Sequence, residues 1–184
     1  IAEQYATVQG NPDFVACINE RHFDRVKAYI DEAKEKGTRV VQLSPAGEDW
    51  SSRETHKIPL HLIVDPDDSL ACMQEEVFGA VLNIKPYTHV QEAVDFINMR
   101  ERPLALYHFG NDKKEQNKVL KETISGGVSL NAVTMHVACD DMPFGGVGHS
   151  GMGNYRGHDG FRTFSHARSV YQQGFIDLAK LAGT

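Results

Sequence analysis

What this chain has little of narrows its class before any motif is considered. Its 184 residues include three cysteines and one tryptophan. Cys17, Cys72 and Cys139 lie far apart and form no Cys-x-x-Cys. Neither a disulfide framework nor a structural zinc site is expected, and the three read as reduced thiols of a cytoplasmic protein. No Asn-x-Ser/Thr acceptor occurs, which agrees with that compartment. Positive charge is also short: 19 Lys and Arg stand against 25 Asp and Glu, a formal net charge of −6. Phosphate-backbone binding rests on Lys and Arg releasing counterions, so nucleic acid is not expected as a partner. No apolar run approaches the roughly 18 residues of a membrane helix, and no basic-then-apolar leader is visible, so no membrane segment is expected.

What is present has the texture of a globular domain, with 41% hydrophobic and 24% charged residues and a length that encloses one core. Phe23, Val26, Ile30 and Ala33 fall at helical spacing, and Gly37 stands where a left-handed cap belongs, predicting a helix from Glu20 to Lys36. Val40 to Leu43 reads as a strand, Ser44 to Lys57 as a polar surface loop, and Leu60 to Val64 as a second strand stopped by Asp65-Pro66. Ala80 to Ile84 reads as a third. Thr88 with Gln91 then predicts a helix start, and Val90, Ala93, Val94 and Ile97 line one face. Leu104 to Phe109 is a strand, Asp112 with Glu115 caps a helix carrying Val119, Leu120 and Ile124, and Gly126-Gly127 precedes a strand over Val128 to Leu130. Strand, helix, strand, helix, strand with short connections predicts an α/β fold, a parallel sheet with flanking helices. Seven of the sixteen glycines fall between Gly145 and Gly160, a run that excludes regular structure there. Phe161 to Ser165 then reads as a strand, and Phe175 to Leu181 as a last short helix.

Gly146-x-Gly148-x-x-Gly151 matches the dinucleotide fingerprint in letters only. No helical pattern follows Gly151, and about 20 positions on stand Ser169, Val170 and Tyr171 where an acid for the ribose belongs. A backbone loop pressed against a ligand or another chain segment is the better use of these glycines. Glu75-Glu76-Val77-Phe78-Gly79 precedes a strand, where open sheets place ligand contacts only at the proper edge. Paired carboxylates can share acid and base work, although adjacent acids by themselves more often mark a solvated loop. Phe78 taken alone is a core residue. None of the cysteines suits a nucleophile: Cys17 sits in an apolar stretch, and Cys72 and Cys139 stand near acids that oppose thiolate formation. His149, His158 and His166 fit turn and surface positions better than a general base.

Taken together and in order, Glu75 to Gly79, the βαβαβ stretch, Gly127 to Asn131, and Met142-Pro143-Phe144-Gly145-Gly146-Val147-Gly148-x-Ser150-Gly151-Met152-Gly153 resemble the aldehyde dehydrogenase superfamily. Asn11-Pro12-Asp13-Phe14, Ile18 to Arg25, and Tyr155-x-Gly157 leading to Phe161-x-x-Phe164-Ser165-His166 are similar to its class 3 and coniferyl aldehyde dehydrogenase group. The resemblance implies oxidation of an aldehyde to a carboxylic acid with NAD or NADP through a thiohemiacetal on a cysteine. It implies that Glu76 accepts hydrogen bonds from the nicotinamide ribose hydroxyls, that Phe78 packs beside that ribose, and that Phe144 lies near the aldehyde pocket. The glycines after Phe144 would support that pocket. Two departures stand out: Ala80 replaces a usual Pro, leaving the loop's φ less fixed, and His149 replaces a smaller polar residue.

The family's nucleophilic cysteine in a Gln-x-Cys context and its general-base Glu before Leu-Gly-Gly occur nowhere in this sequence. No catalytic residue is therefore expected in the chain. With its start at Ile1, it reads as the C-terminal part of such an enzyme, inactive alone, with 1–142 a portion of the catalytic domain and 143–184 a Gly-rich loop and terminal segment contributing to a homodimer. A non-catalytic α/β module acting with a partner chain is the competing reading. The aldehyde and the choice between NAD and NADP are not expected from these residues, because the segments that set them are absent.

Overall fold

The computed structural model describes residues 3–44, 46–51, 53–176 and 178–183. Residues 45 and 52 of the predicted surface loop and residue 177 of the predicted last helix lie outside this set. The chain divides into two compact units, Ile1–Pro86 and Tyr87–Thr184.

In the first unit, helix α1 spans Glu20–Glu35. Asn19 caps its start, its side-chain oxygen accepting from the His22 N–H at 3.0 Å, and Gly37 at φ +75° ends it as predicted. Phe23, Val26, Tyr29, Ile30 and Ala33 form its buried stripe, each large side chain contributing roughly 1.5–3 kcal/mol by leaving water. The stripe packs on Ile58, Ile63, Leu70, Cys72 and Val81. Strands β1 (Arg39–Leu43), β2 (Leu60–Val64) and β3 (Val81–Ile84) form a mixed sheet, with β1–β2 antiparallel and β2–β3 parallel. Helix α2 (Ala71–Gln74) lies in the β2–β3 crossover, and the Glu75–Gly79 loop follows it immediately.

In the second unit, α3 (Val90–Asn98) precedes β4 (Ala105–His108), and α4 (Lys113–Glu122) crosses to β5 (Gly127–Leu130), which pairs parallel with β4. Val94, Leu106 and Val119 form its small core, with Val90, Ile97 and Val128 around them. Asp112 caps α4 as predicted, accepting from the Lys114 and Glu115 N–H groups at 2.8 and 3.4 Å. Short helices α5 (Met135–Ala138), α6 (Gly157–Thr163) and α7 (Leu178–Leu181) follow. Among the described residues, no helix is long and apolar enough to cross a membrane.

The α/β class with parallel pairing and flanking helices stands, and four details differ from the sequence expectation. First, the strands do not share one ladder, since β3 completes the first unit's sheet by pairing with β2 while β4 and β5 pair with each other. Second, α3 is capped one residue later, at His89, because the Glu92 carboxylate accepts from both the Thr88 and His89 N–H groups at 3.2 Å. A carboxylate suits the positive helix end, and Gln91 turns instead to Asp95 at 2.8 Å. Third, Ile124 lies beyond α4, which closes where the Thr123 hydroxyl donates to the Val119 carbonyl at 2.7 Å. Fourth, Gly157–Thr163 is helical, so the glycine run does hold regular structure at its end, and Phe161 to Thr163 is not extended. Arg156 and Gly157, at φ +82° and +51°, turn the chain into α6, and the Gly160 and Phe164 N–H groups bond back to the Arg156 and Gly160 carbonyls. Phe161 and Phe164 are three residues apart, a spacing that one helix face also provides.

Candidate functional site

The Glu75–Gly79 loop sits at the amino end of β3, and the Ala80 carbonyl accepts from the His61 N–H at 2.9 Å. This is not the carboxyl edge where open parallel sheets usually bind ligands. Packing against α1 shapes the loop: a Cβ on Gly79 would stand 2.5 Å from Val26 Cγ2. The Arg25 guanidinium, also from α1, donates to the Glu76 carbonyl at 3.0 Å and the Val77 carbonyl at 2.8 Å.

With its backbone pinned on both sides, the loop turns Phe78 outward at φ +43°. The ring is 81% exposed, so the core reading of Phe78 is corrected: the carbonyl clamp and the Gly79 contact hold the loop in the conformation that points this side chain away from the core. Phe78 instead walls a cavity of about 720 Å³ together with Tyr5, Phe14, Cys17, Ile18 and His22. Glu76 is exposed, and its carboxylate makes no hydrogen bond to the described residues. The neighbouring acid behaves differently, since Glu75 accepts from the buried Tyr29 hydroxyl at 2.6 Å. The two carboxylates are therefore not a paired acid and base.

Cys17 reaches the same cavity half-buried. Burial pushes its thiol up, against the pull of Arg25. Cys72 is buried and likewise pushed up, by burial first and then by the Glu32 carboxylate. Neither is a poised thiolate, in line with the sequence reading. For Cys72 the acid concerned is Glu32 of α1, not the Glu75-Glu76 pair.

In the second unit, Phe144 is half-buried in a closed loop. Its N–H donates to the Tyr155 carbonyl at 2.9 Å and its carbonyl accepts from the Tyr155 N–H at 3.0 Å. The two rings meet edge to face at 5.7 Å, with the Arg156 guanidinium over both. Gly145, Gly146 and Gly126 each allow backbone to press on backbone: an added Cβ would stand 2.1 Å from the Gly153 carbonyl oxygen, 2.1 Å from that of Ser150 and 2.2 Å from that of Gly145, respectively. This is the chain-against-chain use predicted for the glycines; the three-residue turn Gly148–Ser150 lies inside the fingerprint letters, and the helix that follows them, α6, begins only at Gly157. His149, 3.5 Å from Glu101, is exposed, as are His158 and His166.

Several residues of both regions escaped the sequence reading. Tyr29 lies inside the predicted helix without a signal of its own, and Arg25 enters only as the end of the Ile18 to Arg25 segment of the resemblance. His136 is 7% and Ser129 6% exposed, with Ser129 Oγ and His136 Nδ1 2.9 Å apart. The His136 ring lies 6.3 Å from that of Phe144. At the carboxyl ends of β4 and β5, the Asn131 side chain accepts from the Gly110 N–H at 2.8 Å and donates to its carbonyl at 3.1 Å, holding two loops together.

Comparison with known proteins follows the same residues. The chain matches the aldehyde dehydrogenase family over residues 3–170. It is 51% identical over 183 residues to the probable coniferyl aldehyde dehydrogenase of Caulobacter vibrioides, covering 100% of this chain and 38% of that protein. A substrate-bound AldH of Staphylococcus aureus superposes with a TM-score of 0.78 at 33% identity, covering 92% of this chain and 35% of the other. The Mycobacterium tuberculosis aldehyde dehydrogenase complexed with NAD+ gives 0.76 at 27% identity, covering 89% and 33%. The chain thus spans about a third of the length of these relatives, and it belongs to the aldehyde dehydrogenase family.

Proposed function

We propose that this chain is the C-terminal portion of an NAD(P)-dependent aldehyde dehydrogenase that oxidises coniferyl aldehyde, or a related aromatic or aliphatic aldehyde, to its acid. The observation that carries the reading is that the Glu75–Gly79 loop leaves the Glu76 carboxylate exposed, with no hydrogen bond to the described residues, and two positions on turns the Phe78 ring outward as a wall of the cavity. A ribose diol needs an acceptor for its two hydroxyls and an apolar wall for its carbon face, and this pair offers both. When bound, the nicotinamide supplies the hydride acceptor. Glu76 fixes the ribose, Phe78 excludes water beside it, and Phe144, held by Tyr155, lines the aldehyde pocket.

The preference for coniferyl aldehyde rests on the 51% identity to the Caulobacter protein. Within the parent enzyme, 1–142 belongs to the catalytic domain and 143–184 takes part in assembly of a cytoplasmic homodimer. The cysteine nucleophile and the general base are not among these 184 residues, so the chain alone is inactive.

The test is Glu76→Gln in the full polypeptide of the natural reading frame. Losing charge-assisted acceptance of two hydroxyls raises the Kd for NAD or NADP by roughly 10- to 100-fold. An unchanged Kd overturns the assignment.

A further inference from the structure

Glu76 makes no side-chain bond of its own and Phe78 stands in solvent, so something else must hold them where a cofactor meets them. The structure shows what does. The Tyr29 ring is buried in the α1 stripe, 3% exposed. Its hydroxyl accepts from Arg25 Nη1 at 2.7 Å and donates to Glu75 Oε2 at 2.6 Å. The same guanidinium reaches the Glu76 and Val77 carbonyls at 3.0 and 2.8 Å. Three successive loop residues are thus tied to one turn of α1, two by backbone and one by side chain. Burial, and then the bond to Glu75, push the Tyr29 hydroxyl up, which keeps its proton available for donation.

We infer that Tyr29, through its bond to Glu75 and its hold on Arg25, is the positioning residue that presets Glu76 and Phe78 for the cofactor. It touches no reacting atom. The inference rests on the cofactor reading above and adds a device to it. A loop with a positive φ at Phe78 and a free carboxylate at Glu76 has no intrinsic reason to stay in one conformation. Preorganising it removes the ordering cost from each binding event, so the tether acts on cofactor affinity while the chemical step is left alone.

The experiment compares wild type with Tyr29→Phe, which removes only the hydroxyl, and with Glu75→Gln, which keeps an acceptor for it. Ile63→Val serves as a control that loosens the same core without touching the tether. All are made in the full polypeptide of the natural reading frame. Two readouts are taken: hydrogen exchange at residues 75–79, and KM for NAD or NADP against kcat. The expected result for Tyr29→Phe is exchange and KM both rising roughly tenfold with kcat unchanged. Glu75→Gln keeps most of the wild-type values, and Ile63→Val leaves KM where it was. Unchanged exchange overturns the tether, as does an equal rise in KM for Ile63→Val. Faster exchange with an unchanged KM overturns the positioning role and leaves the cofactor reading standing. If wild type binds neither NAD nor NADP, the cofactor reading itself fails, and the exchange data still report whether the tether exists.

Discussion

A Cβ on Gly145 would lie 2.1 Å from the carbonyl oxygen of Gly153 and 2.8 Å from the Asn154 Cα. The two strands of the Phe144–Tyr155 loop are therefore closer than any side chain permits, and no flexible group is there to yield. Gly145→Ala is expected to destabilise the protein by about 1–3 kcal/mol, the usual cost of forced overpacking. Gly153→Ala meets open space but carries φ +73°, so its cost is one of backbone strain, about 1 kcal/mol. Chemical denaturation of the two variants checks the order.

Burial sets a pH dependence in the first unit. The His61 side chain is fully buried, with Nδ1 2.6 Å from the Pro59 carbonyl oxygen and Nε2 without a partner among the described residues. Burial pulls its pKa below the ordinary 6.5, and the Pro59 bond only partly opposes this. The unfolded chain takes up a proton near pH 6.5 that the folded state refuses. The stability held above that pH is thus lost as the pH falls below it, toward the lowered folded value. Unfolding free energies measured from pH 7.5 to 5 should fall more steeply for wild type than for His61→Phe, which has no proton to take up. Parallel curves would remove His61 from the account.

Thiol chemistry separates the three cysteines. Cys139 is exposed, Cys17 half-buried and Cys72 buried, the last two with raised pKa values. Alkylation by iodoacetamide at neutral pH, followed by peptide mass analysis, is expected to label Cys139 first, Cys17 more slowly and Cys72 only on unfolding. Rapid labelling of Cys17 or Cys72 in the folded chain would reveal an activated thiol that this structure does not contain.

How much of this was legible in the sequence depends on the range of the interaction. Helix α1, the Asp112 cap and the strands from Leu60 and Leu104 follow from local spacing, where side-chain period and backbone geometry coincide. The Phe161–Phe164 pair misled because a spacing of three tells little about the backbone when Gly157 and Gly160 stand just before it. The capping acceptor of α3 was misplaced by one residue because Gln91 and Glu92 both suit that position, and only the charge decides it. At the site, Glu76, Phe78 and Phe144 came from resemblance, not from periodicity. The Tyr29–Glu75 bond joins positions 46 apart, and no local pattern announces it. The exposure of Phe78 follows from the same long-range clamp, which is why its apolar character pointed the wrong way.

On the proposed function, the chain carries the cofactor-ribose and aldehyde-pocket walls of an aldehyde dehydrogenase but not its nucleophile. The most direct measurement is NADH or NADPH formation from coniferaldehyde at 340 nm by the 184-residue chain and by the full polypeptide, at equal concentration. Steady turnover by the full polypeptide and none by the chain alone is the expected result. Turnover by the isolated chain, abolished by substitution of Cys17, Cys72 or Cys139, would contradict it.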